Sequence, residues 1–362
     1  MNSILHKINR LERIGQTEHR VLTCNSNDLS EVEDGSVALI VTSPPYPMIS
    51  MWDSILSEQS NTVKTALAAG DGAFAFEFMH KVLAEVWYEC DRVLMDSGII
   101  CINIGDATRT IGDKFQIYSN HSKIIELFTE MGYSVLPDII WHKQSNSPNK
   151  FLGSGMYPTG AYVTYEHEYI LIFRKGGNRK FSGKAEELRK KSAYFWEERN
   201  KWFSDIWNIK GKSQKIDILS RDRSAAFPFE IPYRLINMYS IQGDTVLDPF
   251  LGIGTTSLAC MASNRNSIGV ELDAELSDMA MQTMCCEPHI LNKVIDNRYI
   301  RHTDFIRKLP TVKYESCYYN QNLKTKVKTM QETDIEFYRI LDVRRTDSDR
   351  IVCDYGEWRN WM

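Results

Sequence analysis

Between Thr245 and Thr256 the chain reads TVLDPFLGIGTT, a string that few backbones accept. Val246 and Leu247 end a short apolar strand. Asp248 and Pro249 break it, because proline has no N–H to give to a sheet and a fixed φ. Gly252 and Gly254 then allow a turn too tight for other side chains, and a helix begins near Thr255. A strand, a glycine turn and a helix in that order form a ligand-holding corner of a parallel α/β sheet. The glycines let backbone approach the ligand, the helix amino terminus suits a carboxylate, and Asp248 suits an ammonium. A ligand carrying both groups is an amino acid. The following strand, Ser267 to Leu272, has Glu271 at its carboxyl end, where a carboxylate can bind the two hydroxyls of a ribose. The competing reading is a dinucleotide turn, but the third glycine of GxGxxG is missing and DPF stands in front.

A second strand-to-loop junction lies at ALIVTSPPYPMISMWD, Ala38 to Asp53. Four apolar residues are followed by Thr42, Ser43 and two prolines, so a buried strand ends in a stiff loop. The Ser43 hydroxyl, the Ser43 or Pro44 carbonyl and the Tyr46 ring fall within four positions. Together they suit an exocyclic amine on a planar ring: the ring stacks on Tyr46, and the two oxygens accept the amine's hydrogens. Bonds of that kind pull the nitrogen lone pair out of conjugation and make it a nucleophile. The bland alternative is a Pro-Pro loop with a surface tyrosine.

Around these junctions the pattern is of a doubly wound α/β sheet. Strands are expected at Arg20 to Cys24, Gly98 to Gly105, Val135 to Trp141 and Glu168 to Arg174, and helices at Phe78 to Leu94 and Ile117 to Met131. Asp53 to Phe76 shows no periodicity and reads as a mobile segment. From Arg174 to Arg223 there are fifteen Lys and Arg against seven Asp and Glu, with Trp196, Trp202, Phe203 and Trp207 among them. Basic residues interleaved with aromatics suit a phosphate backbone and its bases; a solvated helical insertion is the alternative. The asymmetry stands out because the whole chain has a net charge of -4. The eight cysteines show no metal or disulfide spacing, the eight histidines no metal-ligand spacing, and no apolar run reaches membrane-spanning length. No metal and no membrane are expected, and the protein reads as cytoplasmic.

TSPPY after an apolar strand resembles motif IV, and DPFxGxGTT resembles motif I, of the β-class amino-methyltransferases that modify DNA. Ser224 to Ile236 (SAAFPFEIPYRLI) is similar to their motif X, which covers the cofactor, with Arg223-Ser224 where a histidine usually stands. The resemblance spans about residues 20 to 280. It implies a seven-stranded, mostly parallel methyltransferase sheet of circularly permuted order. The catalytic half would be 20–175, a basic target-recognition insertion 176–222, the cofactor half 223–280 and a possible DNA-contacting extension 281–362. S-adenosylmethionine is the implied cofactor, held by Phe227, Asp248, Pro249, Phe250, Gly252, Gly254, Thr255, Thr256 and Glu271. Ser43, Pro44, Pro45 and Tyr46 would act on the target, while Lys190, Lys191, Lys210 and Lys212 would bind double-stranded DNA. The serine form of motif IV resembles the N4-cytosine branch, which implies a restriction-modification setting and a cognate restriction endonuclease as partner. N6-adenine methylation, action on RNA or a protein glutamine amide, and a non-catalytic DNA-binding module remain open.

Overall fold

The computed structural model describes residues 15–143, 152–210 and 227–358. Ten strands form one sheet. They are β1 (Gly15–Thr23), β2 (Val37–Thr42), β3 (Leu94–Ile104), β4 (Ser134–His142), β5 (His167–Arg174), β6 (Ile206–Asn208), β7 (Thr245–Asp248), β8 (Asn266–Glu271), β9 (Tyr338–Arg345) and β10 (Arg350–Glu357). Their spatial order is β6-β4-β5-β3-β2-β7-β8-β1-β10-β9. The central run β3-β2-β7-β8-β1 is parallel, and β5 enters antiparallel between β3 and β4. Leu39 pairs with Val246 and Ile40 with Leu247, so the two sequence junctions meet as neighbouring strands.

Burial of β2 on both faces explains its unbroken apolar run. Ile40 packs under α1 (Gly72–Val93) and α2 (Asn120–Glu130) with Leu83, Trp87 and Phe128. Leu39 and Val41 belong to the opposite core, with Ile231 and Leu235 of a buried helix at Glu230–Tyr239, and Leu258 and Met281 from the helices Thr255–Met261 and Ala274–Met284. The strand therefore holds helices to both sides of the sheet.

Several expectations change. The sheet has ten strands rather than seven, because β6 adds to one edge and β9 and β10 to the other. Residues 338–357 are thus part of the sheet. The segment after the Pro-Pro loop is ordered into helices Asp53–Gln59 and Asn61–Ala68, whose Leu56, Val63 and Ala66 pack with Met48, Met79 and Ala107. Lys114–Tyr118 is a strand of a small hairpin with Ala107–Ile111, so Ile117 precedes the helix expected there. No helix of the described residues is long and apolar enough to cross a membrane.

Candidate active site at the carboxyl edge of the sheet

Thr42, Asp248 and Glu271 end three adjacent parallel strands and share one rim. Asp248 is 3% exposed, and three donors converge on it: Thr42 Oγ1 at 2.6 Å, Thr256 Oγ1 at 2.6 Å and the Phe250 N–H at 3.1 Å. Burial pushes its carboxyl above the usual range, while these donors oppose the shift. The bond from Thr42 ties the Ser-Pro-Pro-Tyr loop to the glycine turn. Ser26 Oγ donates to the Pro249 carbonyl, fixing the turn from the far side. Glu271 accepts from the Gly252 N–H at 2.8 Å and the Asp273 N–H at 3.0 Å; its carboxyl is likewise raised by burial, against those bonds. Gly252 and Gly254 have φ of 56° and 87°, the left-handed region that other residues adopt at a cost. Thr255 and Thr256 open a seven-residue helix that is buried throughout. Phe250 lies edge-on to Trp87, and Phe227 is buried in the core beside Glu230–Tyr239. Ser224 to Ala226, the first part of the motif X string, lie outside the described residues.

The Ser43–Pro47 loop is fixed by side chains from elsewhere. Asn120, wholly buried, donates to the carbonyls of Pro47 (3.0 Å) and Gly105 (2.9 Å), while His80 Nε2 meets its Oδ1 at 2.9 Å. Gly105 has no Cβ because one would meet the Tyr46 ring at 3.1 Å. Tyr46 Oη lies 3.0 Å from Ser43 Oγ, 2.9 Å from Glu168 Oε2 and 2.6 Å from Asn103 Nδ2. Burial, then the charge of Glu168, holds the phenol well above its ordinary pKa, so it is neutral. Lys143 pairs with Glu168 Oε1. Asn103, Asn120, Lys143 and Glu168 were not singled out from sequence; only their places at or beside strand ends marked them.

Of the described basic residues, Arg179, Lys190 and Lys191 do not lie at this rim. Arg179 pairs with Asp244, just before β7 begins, and Lys191 with Glu336 at 2.7 Å. Ser192 Oγ accepts from the Gln242 N–H. Lys190 and Lys191, in the helix Lys184–Lys191, therefore lie by the amino edge of the sheet, across from Ser43. A cavity lined by Lys191, Asn237, Arg265 and Arg298 opens at that same distant edge. Lys210 follows β6, whose pairing with β4 brings it to the carboxyl side; Lys212 lies outside the described residues. Trp202 and Trp207 are buried and Trp196 and Phe203 partly exposed, so half of the aromatic set is core.

Among the described residues Glu197, His302 and Glu332 bring potential ligand atoms within 4.8 Å of one another. His302 contacts Glu197 Oε1 and the Lys326 carbonyl, and Glu332 accepts from Trp196 N–H and from Thr329, while Glu197 Oε2 is buried with no partner among the described residues. The trio clasps the helix Trp196–Trp202 to the helix Pro288–Arg307 and the turn at Met330–Glu332.

A buried acid and a glycine turn beside a Ser-Pro-Pro-Tyr loop, on neighbouring strand ends of such a sheet, define a methyltransferase of the Rossmann-like type. Residues 37–282 match the model of the N6/N4 methyltransferase family, described as DNA methylase, and the chain belongs to that family. It is 51% identical over 346 residues to the Type II methyltransferase M.MthZI of Methanothermobacter thermautotrophicus, covering 94% of this chain and 96% of that one. It is 50% identical over 275 residues to M.MjaI of Methanocaldococcus jannaschii, covering 72% and 89%. Among solved structures, TTHA0409 of Thermus thermophilus, complexed with S-adenosyl-L-methionine, aligns with TM-score 0.57 and 31% identity over 73% of this chain and 92% of that one. The PvuII cytosine-N4-specific DNA methyltransferase aligns with TM-score 0.56 and 17% identity over 79% and 95%, a likeness of fold.

Proposed function

We propose that this DNA methyltransferase methylates the exocyclic N4 amine of a cytosine flipped out of duplex DNA, as the modification partner of a restriction endonuclease. The observation that carries the choice of cytosine is Ser43: a neutral hydroxyl stands where the N6-adenine branch usually has Asp or Asn. The donor set fits S-adenosylmethionine. Asp248 suits its ammonium, the amino terminus of the helix Thr255–Met261 its carboxylate, and Glu271 its ribose. When bound, the cofactor supplies a methyl group on a positively charged sulfur, which a neutral amine can attack.

The chain's own residues prepare that amine. A base inside a duplex cannot reach the rim, so it leaves the stack at a cost of a few kcal/mol. Tyr46 offers its ring to the base. Ser43 Oγ and the Pro44 carbonyl accept the two amine hydrogens, which turns the lone pair outward, and Pro45 keeps the loop from relaxing. Alignment of this kind is worth about 7 to 11 kcal/mol in well-oriented reactions. No covalent enzyme intermediate is needed.

The test is to incubate the protein with tritiated S-adenosylmethionine and mixed-sequence duplex DNA, digest to nucleosides and chromatograph the label. N4-methylcytosine is expected. Label in N6-methyladenine would refute the use made of Ser43 and leave the DNA methyltransferase assignment in place.

A further inference from the structure

The hydrogen bonds around Tyr46 run in one direction, and one group sets it. Glu168 is 8% exposed, and its carboxylate only accepts. The Lys143 ammonium, a donor only, occupies Oε1. At Oε2 stand Tyr46 Oη (2.9 Å) and Asn103 Nδ2 (2.7 Å). Turning the Asn103 amide over would set its carbonyl oxygen against that carboxylate, so both N–H groups are committed, one to Glu168 and one to Tyr46 Oη at 2.6 Å. The cost is visible: Asn103 Oδ1 is buried with no partner among the described residues. Tyr46 has one hydrogen, and Glu168 takes it. Toward Ser43, 3.0 Å away, Tyr46 Oη is therefore an acceptor, and the Ser43 hydroxyl must donate to it.

We propose that Glu168, acting through Tyr46 and Asn103, fixes Ser43 Oγ as a hydrogen-bond acceptor and so selects a target base bearing an amine over its deaminated counterpart bearing a carbonyl. This rests on the reading of Ser43 as the residue that meets the target amine. An amine gives Ser43 an N–H. A carbonyl at the same ring position sets lone pair against lone pair, and a site built to hydrogen-bond one group rejects an analogue that cannot return the bond. Glu168 is thus a positioning residue for the reaction and a determinant of specificity.

Glu168→Gln is the decisive variant, because its amide can donate to Tyr46 Oη and let the chain of bonds reverse. Tyr46→Phe is the second; it keeps the ring and removes the transmitting hydroxyl. Binding is measured on a duplex that the wild-type protein methylates and on the same duplex with the target amine replaced by a carbonyl (uracil for cytosine, hypoxanthine for adenine). The wild type should favour the amine, and both variants should lose most of that preference. In both, kcat should fall roughly 10- to 100-fold, with S-adenosylmethionine affinity unchanged. Should Glu168→Gln fail to fold, Tyr46→Phe carries the test. Retention of the wild-type preference by the folded variants overturns the proposal, even if kcat falls. Ser43→Ala separates the two levels: if it still methylates DNA, the underlying reading fails, whereas if it is inactive while Glu168→Gln keeps its preference, only this inference fails.

Discussion

At Asp248 two threonine hydroxyls and an amide N–H point at one carboxylate, so its removal strands three donors in a buried place. Asp248→Ala should cost about 1 to 3 kcal/mol of stability and weaken S-adenosylmethionine binding at least about tenfold, one lost hydrogen bond to a charged group. Ser43 is half-buried and its shortest side-chain bond is to Tyr46. Ser43→Ala should therefore abolish most methylation and leave cofactor affinity and melting temperature alone. Calorimetric titration of both variants, beside the methylation assay, checks the pair; equal loss of cofactor binding in each would refute the division of labour between the two loops. Gly254 is a separate case. At φ of 87°, with Ala280 only 3.4 Å from where a Cβ would stand, Gly254→Val should distort the turn and weaken the cofactor without touching Tyr46, and an unchanged dissociation constant would refute that placement.

Among the elements, the basic stretch after Arg174 behaves differently from its composition. Arg189, Lys191, Lys201 and Arg179 are ion-paired within the protein, and the helix Lys184–Lys191 sits by the amino edge, while Lys210 lies toward the rim that holds Ser43. Lys210→Glu should therefore weaken DNA binding and make the plot of log affinity against log salt shallower by about one unit, whereas Lys190→Glu should leave both nearly unchanged. Fluorescence anisotropy over a salt series decides this, and equal effects would sink it. The sequence could not place these lysines because charge counts carry no direction. It did reveal β2, β7 and most of the long helix Gly72–Val93, read from its apolar stripe as Phe78 to Leu94, while the first turn of that helix fell in the stretch read as patternless. The helices Asp53–Gln59 and Asn61–Ala68 were illegible because each buries only one or two side chains, too few to show a period. The loop motifs were readable as local strings; Asn103, Asn120 and Glu168 were not, since their meaning comes from partners 15 to 122 residues away in the chain.

The whole molecule is joined at β1, and the joint is polar. β1 pairs with β8 on one side and β10 on the other, so the C-terminal strands close the sheet next to the strand that carries Glu271. Within that seam His19, wholly buried, lies 2.8 Å from Thr17 Oγ1 and 2.8 Å from Ser267 Oγ, and Thr17 leads on to Tyr355 and the Met261 carbonyl. Its neighbours there are hydroxyls, and burial lowers its pKa from 6.5 to about 3. The unfolded chain binds a proton at His19 below pH 6.5, and the folded chain refuses it until about pH 3. Protons thus favour the unfolded state in that window. Stability from this residue is complete above pH 6.5 and declines by about 1.4 kcal/mol for each unit of acidification below it. Chemical denaturation at about pH 7.5, 6.0 and 5.0 should show a falling unfolding free energy, and His19→Asn should reduce that slope by about one proton's worth even if the variant is less stable throughout. An unchanged slope in His19→Asn would show that the histidine is charged in the fold, and that the seam between β1, β8 and β10 is held by something other than a neutral imidazole between two hydroxyls.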